Sequence, residues 1–266
     1  MVVPTMLSRI LDEVERTGAS LASLRNVAYG GGRMPMPVIE RAMRMLPQVK
    51  WVNAYGLTET SSTISVLGPE DHAEAFASDD PNVRARLGSV GRPLPMVELE
   101  VRDPDGKPVP TGERGEIFVR GEQIAGEYLG RSVLTEDGWF PTNDSGYLDE
   151  DGYLFLEGRL DDVIVRGAEN LSPGEIEDVL LSHPAVAEAA VFGLPDTEWG
   201  EKVVAAVVLH TDYDADQANL QQWVRDRLRS TKTPERIHFR AELPHSETGK
   251  LLRRVLKSEY ATRSAE

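Results

Sequence analysis

The chain contains no cysteine. A disulfide framework is therefore excluded, as is any metal site built on thiolates. Long apolar runs are also missing, and nothing approaches the roughly 18 consecutive apolar residues that suggest a membrane-spanning helix. The start, Met1-Val2-Val3-Pro4, lacks the basic stretch and following apolar stretch of a secretory leader. Positive charge is scarce too. Lys and Arg number 29 against 44 Asp and Glu, for a formal charge of −15. A nucleic-acid partner would need the opposite, a basic face that neutralises phosphates. These absences set the expectation of a soluble, cytoplasmic protein with no nucleic-acid partner and no membrane span. At 266 residues the chain is long enough for two domains and a sizeable core.

What is present is organised around residues 158–177. Gly158-Arg159 closes a β-rich region, and Asp161-Asp162 stands where the chain changes character. Val163-Ile164-Val165 reads as a short strand, and Gly167-Ala168 turns the chain towards a helix start. Ser172 is placed to cap that helix, with Pro173 in its first position and Glu175 able to bond back to the cap. Ile176, Val179 and Leu180 give the helix one apolar face. An Arg, two carboxylates and a glycine turn between two compact units suit a hinge that carries functional groups.

Upstream of the hinge, Met6, Leu7, Ile10, Leu11 and Val14 fit one face of an amphipathic helix that Gly18 stops. Leu24 to Tyr29 reads as a buried strand running into Gly30-Gly31-Gly32, which is either a tight turn or a place where backbone approaches a ligand. A helix over Met36 to Leu46 precedes a second strand, Lys50 to Tyr55, which ends in Gly56-Leu57-Thr58-Glu59-Thr60. A Tyr, a Thr and a Glu at a strand end can stack on a purine, bond a phosphate and hold magnesium, or they can form a plain polar turn. Residues 68–86, acidic and rich in Ala and turn formers, read as a surface excursion. From Gly88 the pattern becomes short alternating runs: Val97, Leu99 and Val101, then Ile117 and Val119, then a hairpin joining Trp139–Leu148 to Tyr153–Leu156. Within it, Asp144 can accept two hydroxyls or stand in a local Asx-type turn.

Downstream lie strand-like runs at Ala185–Leu194, Val203–Leu209 and Ile237–Phe239. An amphipathic helix through Leu220, Trp223, Val224 and Leu228 falls between the last two. Pro244-His245-Ser246-Glu247-Thr248-Gly249-Lys250 then leads into a last helix of Leu251, Leu252, Val255 and Leu256. Pro244 stands where a phosphate loop of the Gly-x-x-x-x-Gly-Lys type needs its first glycine, so Lys250 does not belong to such a loop. Taken alone, Lys250 reads as a solvated lysine at a helix start.

The hinge stretch, Tyr55-Gly56-Leu57-Thr58-Glu59, Thr142-Asn143-Asp144 and Thr248-Gly249-Lys250 stand in one order and spacing. In these segments the chain resembles the adenylate-forming enzymes: acyl-CoA synthetases, peptide-synthetase adenylation domains and luciferases. The resemblance covers essentially the whole chain. It implies an α/β part (residues 1–67) and a β-rich subdomain (88–160), together the remainder of a large AMP-binding domain over 1–160. A small α+β lid domain over 161–266 would follow. It further implies that Asn53 and Tyr55 contact adenine, with Leu156 as apolar wall, and that Gly30, Gly31 and Gly32 lie between the adenine and acyl pockets. Gly56 would belong to the same nucleotide segment. Thr58 would meet the α-phosphate and Glu59 a Mg2+ ion. Asp144 and Arg159, fifteen residues apart, would hold the nucleotide. Asp161 would be the hinge, and Lys250 the lysine of adenylation. Gly167, Ala168 and Trp199 would line the thiol tunnel, although a core or surface role for Trp199 is equally open.

The implied activity is an ATP-dependent acid–thiol ligation of the acyl-CoA synthetase type. Fatty or other medium-to-large carboxylic acids would be activated to acyl-AMP and passed to coenzyme A, a part of fatty acid metabolism. Three departures accompany it. Asn143 replaces a glycine, and Ala168 replaces the glycine beside the tunnel. The family's Ser/Thr/Gly-rich phosphate loop is absent and belongs upstream of position 1, so the chain is expected to be about the C-terminal half of a complete enzyme. Two alternatives stay open: a non-catalytic fragment that binds AMP or acyl-adenylate, and a stand-alone enzyme that loads a carrier protein. Self-association is open as well.

Overall fold

The computed structural model describes residues 1–125, 127–128, 131–167, 169–211 and 213–263. The fold is mixed α/β and divides into two compact units, Met1–Leu160 and Asp161–Glu266.

The first unit opens with helix α1 (Pro4–Thr17), ended by Gly18 in a left-handed cap that returns its N–H to Val14. Leu7 and Leu11 are buried, whereas Met6 and Ile10 face outward, so the apolar stripe is narrower than the sequence suggests. Strand β1 (Asn26–Gly30), helix α2 (Met36–Met45) and strand β2 (Lys50–Tyr55) form a βαβ unit, the strands running parallel with Gly30 opposite Ala54. A side chain at Gly30 would place its Cβ 2.4 Å from the Ala54 carbonyl oxygen, so glycine is needed there for strand packing. Strands β3 (Ser65–Leu67) and β4 (Arg92–Pro93) complete this sheet antiparallel.

Between β3 and β4 the expected surface excursion is helical: α3 (Pro69–Ala77) and α4 (Pro81–Ala85). Asp71 accepts the Gly68 N–H to close the start of α3, and His72 and Ala75 turn inward. Its fully buried positions are His72 and Ala75, with Phe76 packed beside them on the core, so no run of large apolar residues discloses the helix.

A second, antiparallel sheet in the order β10-β9-β6-β5 follows. It contains β5 (Glu98–Arg102), β6 (Gly115–Arg120), β9 (Phe140–Leu148) and β10 (Leu154–Arg159). Short strands β7 (Glu127–Tyr128) and β8 (Arg131–Ser132) pair beside it in sequence. Ile117, Val119, Phe140 and Leu154 pack with Tyr55 and Ile64, joining the two sheets through one core. The Tyr153 hydroxyl donates to Asp71 at 2.7 Å, and the guanidiniums of Arg86 and Arg92 lie 4.5 and 4.3 Å from its ring. The β9–β10 turn is thereby fastened to α3.

The second unit holds β11 (Ile164–Arg166), β12 (Glu169–Leu171), α5 (Pro173–Leu181), β13 (Val186–Asp196), β14 (Gly200–Leu209), α6 (Gln217–Arg225), β15 (Arg236–Phe239) and α7 (Arg253–Arg263). The sheet order is β12-β11-β14-β13, with β15 parallel to β14. Val203, Ala205 and Val207 pack on the side of α5 and α6, while Val204 and Ala206 pack with Leu256 and Tyr260 of α7. Burial on both faces explains the unbroken apolar run. Ser172 occupies the cap position of α5 without a side-chain cap bond, and Glu175 pairs with Lys232 in place of the expected bond back to the cap.

Candidate functional site

The register of the second sheet sets Arg159 directly opposite Asp144, which is how two residues fifteen positions apart come to share one place. Asp144 is only 8% exposed. Its Oδ2 accepts the Tyr55 hydroxyl at 2.6 Å, and its Oδ1 accepts Arg159 Nη1 at 3.2 Å. The same Nη1 also donates to the Thr142 carbonyl at 3.1 Å. Burial, and then the negative charge of Asp144, hold the Tyr55 phenol well above its ordinary pKa, so it stays a hydrogen-bond donor at neutral pH. Arg159 is half exposed, so its ion pair contributes little to stability and serves mainly to orient the carboxylate. Leu156 packs into the cluster that contains Tyr55.

Asn143 has φ 59°, in the left-handed region. A glycine adopts that conformation freely, and Asn is among the few other residues that visit it routinely, so the departure from the family pattern keeps the same backbone. The Asn143 N–H donates to Glu116 Oε1 at 3.0 Å, and the Asp144 N–H to Thr142 Oγ1 at 3.2 Å. Thr142 in turn donates to the Ile117 carbonyl at 2.8 Å. Thr142 and Glu116 thus position Asp144. Sequence reading could reach Thr142 through the triplet it shares with Asp144, but Glu116 lies on another strand and carries no local signal.

Beyond Tyr55 the chain folds back tightly. A Cβ on Gly56 would lie 1.4 Å from the Ser62 carbonyl oxygen, so no other residue fits. Thr58, Glu59 and Thr60 form one 3-10 turn, with Thr58 exposed and Glu59 half-buried. The Glu59 carboxylate has no hydrogen bond or ion pair among the described residues, while its carbonyl accepts the Ala125 N–H at 2.7 Å. Gln123 braces this loop by donating to the carbonyls of Thr60 and Thr63 at 3.0 and 2.7 Å. Asn53 is buried and donates to the Ser89 carbonyl at 3.1 Å, a bond that ties β2 to the segment before β4. Gly31 and Gly32 are exposed in the turn that leaves β1.

In the second unit the Gly167 N–H donates to the Trp199 carbonyl at 2.6 Å. Trp199 stands at the tip of the β13–β14 hairpin, where Asp196 Oδ1 accepts its N–H at 2.9 Å. Trp199 is 47% exposed, with the Arg166 guanidinium 5.6 Å from its ring centroid. Ala168 lies outside the described residues. Lys250 is exposed, and its ammonium has no partner among the described residues. It sits in a closed loop rather than at a helix start. His245 and Leu251 form a β-bridge, the Ser246 N–H donates to the Lys250 carbonyl at 2.8 Å, and α7 begins only at Arg253. Asp161 lies in the 3-10 turn Leu160–Asp162.

The structure therefore brings Tyr55, Asp144, Leu156 and Arg159 together in the first unit, with Gly56, Thr58 and Glu59 continuing from Tyr55 and Gly30 beside the same strand end. In the second unit it brings Gly167 to Trp199. Among the described residues no group of three or more His, Asp or Glu side chains could hold a metal ion, and no helix is long and apolar enough to cross a membrane.

The chain is similar to known proteins along most of its length. Residues 1–129 match the model of the AMP-binding enzyme family, and residues 175–250 match that of the AMP-binding enzyme C-terminal domain. The 2-succinylbenzoate–CoA ligase of Bacillus licheniformis is 39% identical over 259 residues, covering 96% of this chain and 50% of the relative. The fatty acid–[acyl-carrier-protein] ligase ScoC of Streptomyces coeruleorubidus is 36% identical over 263 residues, covering 97% of this chain and 49% of the relative. Among solved structures, the o-succinylbenzoate CoA synthetase of Bacillus subtilis bound to its acyl-adenylate intermediate superposes with a TM-score of 0.79. It shares 36% identity, covering 96% of this chain and 50% of that one. The chain spans about half the length of the curated relatives it matches. With both family models matched in order along it, the chain belongs to the adenylate-forming, AMP-binding enzyme family.

Proposed function

We propose that the chain supplies the nucleotide-holding portion and the lysine-bearing lid domain of an ATP-dependent acid–thiol ligase of the acyl-CoA synthetase type. In this reading a carboxylate attacks the α-phosphate of ATP to give acyl-AMP and pyrophosphate, and the thiol of coenzyme A then displaces AMP. The observation that carries the reading is the convergence of Tyr55, Asp144 and Arg159 from three strands. An ionised carboxylate has about four lone-pair positions, of which Tyr55 and Arg159 occupy two, leaving acceptor capacity for a ribose diol. Tyr55 and Leu156 supply apolar surface for the base. The free Lys250 ammonium is suited to offset charge on the α-phosphate and the incoming carboxylate.

A magnesium ion held mainly by phosphates needs only one or two protein carboxylates. Glu59, with no partner among the described residues, fits that requirement and would hold the ion. The ion would neutralise phosphate charge. The substrate class is a small-molecule carboxylic acid, fatty or related. The relatives include ligases of an aromatic succinyl acid and of fatty acids, so fatty acid metabolism is one of two directions that fit. The carrier-protein ligase among them supports a second reading, in which a carrier-protein thiol replaces coenzyme A as acceptor.

The test is calorimetric titration of the chain with AMP and with a non-hydrolysable acyl-adenylate analogue. Binding that falls at least about tenfold in Asp144→Asn, on the scale of losing a hydrogen bond to a charged group, supports the nucleotide site. Binding that is absent, or unaffected by that change, overturns it. Pyrophosphate exchange by the chain separates an active ligase from a module that only binds the adenylate.

A further inference from the structure

Arg253 and Lys257 have no role in the sequence analysis, yet with Asp161, Asp162 and Glu177 they form a connected charged group in the second unit. Arg253 is the first residue of α7, three positions after Lys250. Its Nη2 donates to both carboxylate oxygens of Glu177 at 2.7 Å, and its Nε donates to Oε1 at 3.2 Å. Glu177 Oε1 also accepts the Val191 N–H at 2.8 Å, which fixes that carboxylate between α5 and β13. The side chains are largely buried, Arg253 being 21% exposed and Glu177 10%. From this anchored guanidinium, Nη1 extends to Asp162 Oδ2 at 3.4 Å. One turn further along α7, Lys257 Nζ donates to the Asp161 carbonyl at 3.1 Å. The link from Arg253 back to Lys250 is also fastened, because the Leu252 N–H donates to the Pro244 carbonyl at 2.9 Å and closes the Lys250 loop.

We propose that Arg253 and Lys257 clamp the hinge residues Asp161 and Asp162 to the helix that follows Lys250. The free pivot is then confined to the Leu160–Asp161 link, and any turn there carries the Lys250 loop with it as one body. Arg253 is a positioning residue: it touches no reacting group and acts through the hinge and the loop. A buried, bidentate Arg–carboxylate pair is directional, which suits it to holding a register, whereas a lone exposed pair has little effect. That the moved group matters for chemistry rests on the ligase reading of Lys250. The clamp itself rests only on contacts within Asp161–Glu266.

The test uses the intact chain and needs no nucleotide, so failure of the ligase reading and failure of the clamp are separable. Trypsin cleavage after Arg159 requires the hinge segment to open locally, and mass spectrometry of the 1–159 product reads its rate. Relative to wild type, Asp162→Asn and Arg253→Met are expected to cleave about tenfold faster, the signature of a local opening made easier. The thermal midpoint of the second unit should change little in Asp162→Asn. Arg253→Lys, which keeps the charge within reach of Asp162, should recover most of the resistance. Amide exchange in residues 246–251 should rise in Arg253→Met and stay at the wild-type level in Asp162→Asn, where Glu177 still holds the guanidinium. If Arg253→Met does not fold, Asp162→Asn and Lys257→Gln decide the matter. Wild-type cleavage rates in those two variants would overturn the clamp. So would acceleration that merely follows a lowered thermal midpoint, or an Arg253→Lys protein that behaves like Arg253→Met.

Discussion

Asn143 shows how a single backbone angle links sequence to site. Its left-handed conformation turns the chain so that Asp144 points into the cluster with Tyr55 and Arg159. Asn143→Gly is expected to leave stability within about 0.5 kcal/mol of wild type, because glycine takes that angle without strain. Asn143→Val should cost on the order of 1–2 kcal/mol, the usual penalty for an L-residue held left-handed, and more for a branched one. Urea denaturation of the two variants measures the difference. At this scale the sequence was informative wherever a residue acts through its own chemical type. Asp144, Arg159 and Tyr55 were legible as a carboxylate, a cation and an aromatic at characteristic spacings. Glu116 and Gln123 were not, since each acts on a backbone group tens of residues away, and Ser89 was not because it takes part only through its carbonyl, which accepts the Asn53 amide.

Among the elements, helix α3 contains a group whose protonation reports on folding. His72 Nδ1 donates to the Gly68 carbonyl at 2.7 Å, so its Nε2 accepts the Tyr29 hydroxyl at 2.8 Å. Burial lowers the pKa of His72 below its ordinary value, against opposing contributions from the Gly68 bond and Asp71. In the unfolded chain the imidazole takes up a proton at about pH 6.5, while in the fold it resists to lower pH. Stability is therefore expected to be constant in this respect above about 6.5 and to decline as pH falls from there through the lowered folded value. His183, also lowered by burial and next by Arg227, contributes in the same direction in the second unit. Comparing urea midpoints of wild type and His72→Gln between pH 7.5 and 5 isolates the part due to His72, and a variant that retains the full decline would contradict the assignment. The unbroken apolar run of β14 and the periodic apolar face of α6 were legible from hydrophobicity. Helix α3 was missed because Ala and His make its inward face, and the start of α7 was placed too early because the closed loop of Lys250 continues the apolar pattern through Leu251 and Leu252.

At the scale of the whole molecule, the two compact units each carry part of the chemistry that the family reading requires. The acceptor cluster belongs to Met1–Leu160 and the lysine loop to Asp161–Glu266. This division yields a selective outcome. In a form of the protein that catalyses pyrophosphate exchange, Lys250→Ala should slow that exchange by about a hundredfold or more, the scale of losing a preorganised electrostatic group. AMP affinity in calorimetry should be unchanged, because the acceptor cluster is held by bonds within Met1–Leu160. Equal loss of both would mean that Lys250 supports the fold instead. The two-part layout was readable from the hinge stretch, where a β-rich region gives way to a helix-capped one. The fastening of that stretch to α7 was not, because it depends on charges about ninety residues apart. The bond between Tyr55 and Asp144 has a final consequence. A carboxylate that already carries a hydroxyl has surrendered much of its hydration during folding. On the ligase reading, a sugar arriving there adds its alcohols at the acceptor positions that Tyr55 and Arg159 leave open, so a deoxyribose nucleotide, with one alcohol fewer to offer, should be disfavoured even though no residue has to collide with it.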